Sequence, residues 1–362
     1  MKRNTFYLSM AVVIVLGMLL SACGSVATPT IAPTMAPAPT TAPAAPAPTT
    51  APAAPATSRT YVLVPKNLGN PYFDAANSGA QLAAKELGVS VLYQGPTTAD
   101  ATAQITLINS LIAQKVSGLA ISADDADALV PTGKAAIAAG IPVVCWDSPI
   151  SAGGRLTFVN QATPQGIGDV EVKMALDLTG PTGGEIAILS ATAQAPNQNI
   201  WIGIMKADLA TPAYSMLKLD TVVYGNDDDT TSYNQALALF KTYPNLKVII
   251  APTTVGIAAS ARAVKDQNLI GKVFVTGLGD PNQMKAFVAN GSSPEFALWN
   301  SPNLGYLTIY ALDAIASGKI KGNPGDTFTA GKLGSYTIAS DGTIVLGPPQ
   351  IFNKDNIAQF NY

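Results

Sequence analysis

Histidine is missing altogether from the 362 residues. That excludes Ser-His-Asp and Cys-His nucleophilic chemistry and every His-ligated metal centre. A carboxylate-pair glycosidase is still open to such a chain, though nothing in the sequence marks an acid of raised pKa. Cysteine is nearly absent too, with Cys23 and Cys145 the two present, so no disulfide framework can be built from the sequence alone. Cys145 lies inside an apolar run and reads as a small core residue. Charge is sparse at 12% of residues against about a quarter in ordinary globular chains, and the net charge of −2 leaves no footprint for nucleic acid. No charged residue occurs between Arg3 and Arg59.

That uncharged stretch has two parts. Lys2 and Arg3 precede the apolar run Met10–Leu20, which ends in Leu20-Ser21-Ala22-Cys23. A charged start, a short hydrophobic run and small residues before the cut form a secretory signal over residues 1–22. Its ending resembles the bacterial lipobox, which implies cleavage before Cys23 and lipid on its sulfur, with the mature protein tethered to the outer side of a cell membrane. Residues 23–58 are Ala, Pro and Thr repeats holding nine of the 27 prolines. Such a segment buries no core and reads as an extended spacer, at ~3.1 Å per residue able to reach about 100 Å.

The remaining chain alternates in period. Tyr61–Val64, Val89–Tyr93, Gly118–Ser122, Ile141–Trp146 and Leu156–Val159 are short apolar runs, with helical patterns over Phe73–Leu87, Ala101–Lys115 and Ala126–Ala139 between the first four. A second series has strands at Glu185–Ser190, Leu217–Tyr224, Val248–Ala251, Val273–Thr276 and Phe296–Trp299, again separated by helices. Strand–helix–strand spacing of this kind makes parallel sheets covered on both faces. The fold class is α/β, with two Rossmann-like lobes. Helix Leu304–Ser317 is expected to return to the first lobe, giving lobes 59–161 with 301–325 and 162–300 with 326–362. Three crossings, near Asn160–Thr163, Asn300–Pro302 and Ile320–Gly325, would act as a hinge.

Ligands in such folds bind at the carboxyl ends of the strands. Those ends offer Lys66, Asn67, Tyr72, Phe73, Asp124 and Trp146-Asp147 in the first lobe. In the second they offer Asn197-Gln198 and Trp201, Pro252-Thr253-Thr254, Asp280 and Trp299-Asn300. All three tryptophans stand at such places. Indole faces beside carboxylates, amides and a lysine suit a pyranose, whose C–H face packs on rings while its hydroxyls donate and accept. Taken singly, Lys66 reads as a solvated residue of a turn, each tryptophan as core, and Asp124-Asp125 equally well as a helix cap. No Gly-rich phosphate loop follows a strand: Gly180–Gly184 precedes one and reads as a tight turn. Asn226–Asp229 lacks the oxygen spacing of a calcium loop and reads as a turn with a helix N-cap.

From Tyr61 to Phe352–Ile357 the chain resembles the periplasmic sugar-binding proteins of ABC importers, type I and ribose-binding-like. Within these it is similar to the branch of rhamnose and autoinducer-2 receptors. The motifs are PKNLGNPYF (Pro65–Phe73), YQGPTTAD (Tyr93–Asp100), CWDSP (Cys145–Pro149), FVNQATPQGIG (Phe158–Gly168), NQNIW (Asn197–Trp201), IIAPTT (Ile249–Thr254) and ALWN (Ala297–Asn300). The resemblance implies Lys66 and Asp147 on ligand oxygens and Tyr72, Phe73 and Trp146 as an apolar wall. Asn197 and Gln198 would answer from the second lobe, and the Pro252–Thr254 loop, Asp280 and Asn300 would complete the site. Autoinducer-2 receptors carry aspartate where this chain has Asn197, and Pro-Asp-Ala where it has Pro252-Thr253-Thr254, which favours an aldose. The implied protein is a monomeric binder with no cofactor or metal, partnered by a monosaccharide and a membrane permease. A sensing receptor is the alternative and a carboxylate-dependent sugar hydrolase a weaker one; the leader in place of a helix-turn-helix removes a repressor.

Overall fold

The computed structural model describes residues 59–362; the signal segment, Cys23 and the spacer fall outside the described residues. The first lobe begins with β1 (Thr60–Val64), α1 (Pro71–Leu87), β2 (Ser90–Tyr93), α2 (Ala101–Ala113) and β3 (Gly118–Ile121), then α3 (Val130–Ala138), β4 (Val143–Trp146) and β5 (Thr157–Asn160). The second lobe runs through α4 (Pro164–Thr179), β6 (Gly184–Ser190), α5 (Pro196–Leu209), β7 (Leu217–Tyr224), α6 (Asp229–Thr242) and β8 (Leu246–Ala251). It continues with α7 (Thr254–Asp266), β9 (Phe274–Gly277), α8 (Pro281–Asn290) and β10 (Glu295–Leu298). Then follow α9 (Ser301–Ala316), β11 (Thr327–Thr329), β12 (Ser335–Thr337), β13 (Thr343–Val345) and β14 (Gln350–Asn353).

The first sheet has the order β13-β5-β4-β3-β1-β2 and the second β7-β6-β8-β9, all strands parallel. In both, the order reverses beside the lobe's first strand, between β1 and β3 and between β6 and β8. A crevice opens at such a reversal, so Lys66 and Asn197-Gln198 emerge where ligands bind.

Side-chain alternation divides the first lobe's core between the two faces of its sheet. Val62, Val64, Leu119, Ile121, Val143 and Cys145 pack beneath α2 and α3, while Tyr61, Leu63, Ala120, Val144 and Trp146 face α1 and α9. Helix α1 starts at an Asn70 cap, whose side chain accepts from Tyr72 N at 3.1 Å, and ends at Gly88 in the left-handed region (φ 66°). Helix α9 lies on α1, β3, β4 and β5 of the first lobe. The two helices touch through glycine. A Cβ on Gly79 would stand 1.7 Å from Pro302 O, and one on Gly305 1.9 Å from Ala76 O.

The C-terminal segment departs from expectation. Residues 326–362 were assigned to the second lobe, yet β13 pairs with β5, Thr343 opposite Phe158, and so completes the first sheet. The β11–β12 hairpin also stays beside α9, where Lys332 N donates to Tyr306 Oη at 3.2 Å. The part paired with the second lobe is β14, antiparallel to β10, followed by the C-terminus, whose Tyr362 O accepts from Asn282 N at 3.0 Å. The third crossing is therefore at Leu346–Pro349 and not at Ile320–Gly325. The physical reason is that β5 would otherwise be an open sheet edge, and three residues suffice to cover it.

Candidate functional site

Between the carboxyl ends of the two sheets lies a cleft closed by direct contacts from lobe to lobe. Lys66, in the loop after β1, donates to Asn197 Oδ1 at 2.8 Å and lies 3.7 Å from Asp147 Oδ2. Asn197 Nδ2 reaches the Asp147 carbonyl and carboxylate at 3.3 and 3.4 Å. Ser122 Oγ holds Asp147 Oδ2 at 2.6 Å. Asp147 adopts φ 59°, a left-handed conformation that a non-glycine residue takes at a cost, which swings its carboxylate into the cleft. Lys66 and Asp147 are 4% and 3% exposed, so their pairing is that of a desolvated ion pair and not of a surface one.

An aromatic wall stands over these groups. The Tyr72 hydroxyl donates to Asp147 Oδ1 at 3.1 Å and accepts from Trp299 Nε1 at 3.0 Å, one residue from each lobe. Burial, and next the Asp147 charge, push the Tyr72 phenol well above its usual range, keeping the proton that makes this bond. Rings pass edge to face from Phe73 to Tyr72 (5.1 Å) and Trp299 (5.9 Å), with Trp201 tilted against Trp299 at 6.0 Å. Gln198 has its carboxamide oxygen held by Ser190 Oγ and Ala191 N at 2.7 and 2.8 Å, so it can offer the cleft its amide nitrogen. Pro252 and Thr254 close the floor, and Thr254 Oγ1 reaches Asn70 Oδ1 across the lobes at 3.3 Å. The space enclosed is about 30 Å³. That is less than the volume of a pyranose ring.

Five of the residues singled out in the sequence stand apart from this cleft. Trp146 shares the face of Val144, fully buried behind Phe73 with Nε1 on Ala120 O at 3.2 Å, so it backs the wall without lining it. Asn300 caps α9, accepting from Asn303 N at 2.8 Å. Asp280 occupies the cap position of α8 and neither carboxyl oxygen finds a hydrogen-bond partner among the described residues. Burial, with Asp74 next in importance, pushes it up to about 7. Asn67 opens onto a neighbouring cavity beside Leu68 and Gly69. Asp124 faces a third cavity, with Thr192 and Gln194 opposite, and is pushed up to about 8, chiefly by burial. Its neighbour Asp125 closes the turn ahead of α3, accepting from Asp127 N and Ala128 N, both at 2.9 Å, while the cap position of α3 is Leu129, without a side-chain bond.

Asn70 and Asp227 line the cleft without having been placed in it from the sequence, while Trp201 and Thr253, named there only as neighbours at strand ends, line it too. Trp201 carried a usable signal, one helical turn past Asn197. Asp227 did not, because the cap of α6 is Asp228, holding Thr231 N at 2.7 Å, and the run around it reads as that turn alone. No group of three or more His, Cys, Asp or Glu side chains is arranged to hold a metal among the described residues, and no helix of the described residues is long and apolar enough to cross a membrane.

Residues 61–320 match the family model of the periplasmic binding protein domain. The D-allose-binding periplasmic protein of Escherichia coli K12 is 26% identical over 271 residues, 72% of this chain and 86% of that protein. A solute-binding protein of an ABC transporter from Clostridium phytofermentas, solved with L-rhamnose bound, is 40% identical, with 84% of this chain and 98% of that one covered and a TM-score of 0.81. LsrB from Clostridium saccharobutylicum, solved in complex with AI-2, is 26% identical over 84% of this chain and 100% of that one, with a TM-score of 0.80. The first is named for D-allose binding in the periplasm, the second is an ABC-transporter solute-binding protein and the family model is that of a periplasmic binding domain. With its two parallel-sheet lobes, its three crossings and its polar, ring-lined cleft, this chain belongs to the periplasmic binding protein family.

Proposed function

We propose that this protein captures one neutral monosaccharide, rhamnose or another aldose, and delivers it to the permease of an ABC importer while tethered to the membrane through Cys23. The observation that carries this reading is the set Lys66, Asp147 and Asn197. It places a cation, a carboxylate and an amide from both lobes within hydrogen-bond reach of one point beside the Tyr72–Trp299 wall. A sugar satisfies all of them at once: its hydroxyls accept from Lys66 and the amides, donate to Asp147, and its C–H face lies on the rings. Because the same groups bind each other when the lobes meet, a sugar touching both lobes shifts the population only by its extra affinity for the closed form. Such a receptor works as a monomer and turns nothing over.

The test is a thermal-shift screen of the purified protein against monosaccharides and autoinducer-2, followed by calorimetry on the hits. One aldose should raise the melting temperature and bind at one equivalent. Binding of autoinducer-2 with no aldose bound would replace this reading by a sensing receptor, which the likeness to LsrB with AI-2 favours as the alternative. Product formed from a glycoside would end the pure-binder reading.

A further inference from the structure

We infer that Asp227 is a second carboxyl of the ligand site and makes the cleft selective for uncharged sugars over sugar acids; this rests on the sugar-binding reading above. Asp227 sits in the turn between β7 and α6. Two backbone bonds tie that turn to the end of β6, Gly225 N to Ser190 O at 2.8 Å and Asn226 N to Ala191 O at 2.9 Å. Asn226 and Asp227 are both left-handed, φ 56° and 50°, and consecutive non-glycine residues hold that conformation only where the surroundings impose it. Its effect is a division of labour. Asp228 faces the helix and caps it, while Asp227 turns the other way, accepts a hydrogen bond from Thr253 Oγ1 and lines the cleft. It also lines the adjoining cavity at Asn67 and Asn70, so it stands where the cleft meets the opening between the lobes.

The consequence is a charge imbalance around one ammonium. Lys66 acts on the carboxyls of Asp124 and Asp227 and pairs with Asp147, while Asp227 is felt by Asp124 and feels Asp147. Burial is the largest influence on Asp227 and raises it, the Thr253 bond and Lys66 opposing. Two carboxyls of the cleft, Asp147 and Asp227, thus share one cation. A neutral polyol finds acceptors for its hydroxyls there, since the Thr253 bond occupies Asp227 Oδ1 and leaves Oδ2. A carboxylate or phosphate on the sugar brings a further negative charge into the same enclosure, and like charges placed together in an interface are strongly rejected.

Calorimetry on the full chain decides it, with L-rhamnose and D-allose as neutral probes and D-galacturonate as the anionic one. The unsubstituted protein should bind a neutral probe at least about a hundredfold more tightly than the uronate. Asp227→Asn should weaken the neutral sugar by about tenfold to a hundredfold, the loss of one charge-assisted hydrogen bond, and narrow the gap to the uronate. Asp227→Ala should weaken the neutral sugar further, and Thr253→Val, which frees the carboxyl without removing it, less. A melt of each variant without ligand accompanies the titrations. Neutral-sugar affinity and the uronate gap both unchanged in Asp227→Asn and Asp227→Ala would overturn the inference. So would a lowered melt with the gap intact, which marks Asp227 as a prop of its loop. Failure of every neutral sugar on the unsubstituted protein would bring down the functional reading itself.

Discussion

In each lobe one strand is followed by or ends in a tryptophan with a short polar residue behind it: Trp146-Asp147 after β4 and Trp299-Asn300 after β10. The pairs are alike in sequence and opposite in use. At the first, the ring is core and the carboxylate enters the cleft; at the second, the ring enters the cleft and the amide caps a helix. Two backbone facts produce the reversal. Trp146 is the last residue of its strand and keeps the parity of Val144, pointing at α1 and α9, after which φ 59° at Asp147 turns the chain and its side chain back to the cleft. Trp299 lies one residue beyond its strand, free of that parity, and Asn300 at φ −75° leads straight into α9. Residue type thus names what a strand end can do, and the dihedral after the strand decides which residue does it.

The comparison breaks most readily at Asp147. Asp147→Ala should weaken the sugar by about two orders of magnitude or more, since each hydrogen bond to a buried charge is worth roughly 1.5–3 kcal/mol. The ligand-free melt should fall as well, because buried Lys66, Tyr72 and Ser122 lose their shared acceptor; unchanged affinity on calorimetry would take Asp147 out of the site. The two rings should then separate. Trp146→Phe should lower stability by about 1–3 kcal/mol with affinity intact, whereas Trp299→Phe should cost about tenfold in affinity and most of the ligand-induced fluorescence change. A loss of affinity for Trp146→Phe with an unaltered melt would reverse the assignment. Asn300→Ala, removing a cap, should cost about 1 kcal/mol in a melt and leave calorimetric affinity within a few fold.

A last and smaller effect comes from buried carboxyls. Asp280 is pushed up to about 7, by burial and next by Asp74, and Asp124 to about 8, chiefly by burial. An acid whose pKa rises on folding binds its proton more tightly folded than unfolded. Its stabilising contribution is whole below the unfolded value near 4 and is lost as pH rises through the folded value. The ligand-free melting temperature should therefore fall between about pH 4 and about pH 8, and Asp280→Asn should flatten the part of the slope up to about pH 7. An identical slope in the variant would show that Asp280 is not the group responsible.

The order of strands and helices was legible because parallel, doubly covered strands are short apolar runs and the helices between them keep their own period. That Lys66 and Asp147 come together was legible because each stands just past a strand, β1 and β4, whereas Asn197 lies on α5, seven residues past β6, and was given its role by the resemblance. The face taken by Trp146 was not, because it depends on where β4 stops. Asp227 was hidden inside a plausible cap, since the direction of its side chain follows from two left-handed residues that composition does not announce. The strand Thr343–Val345 was missed because three residues carry almost no pattern, and its partner lies more than 180 positions earlier.

Gly79 and Gly305, interlocked where α1 meets α9, also govern how the molecule can move. Each helix rests against a carbonyl of the other with no side chain between, so sliding by even one residue would drive a Cβ or a carbonyl into the opposite backbone. Helix α1 carries Tyr72 of the wall, and α9 begins at the second crossing, so the wall and the pivot are parts of one rigid piece. Shear along that pair is forbidden. We propose that opening is rotation at the three crossings, the second sheet swinging as a door on a fixed jamb and carrying Asn197 away from Lys66.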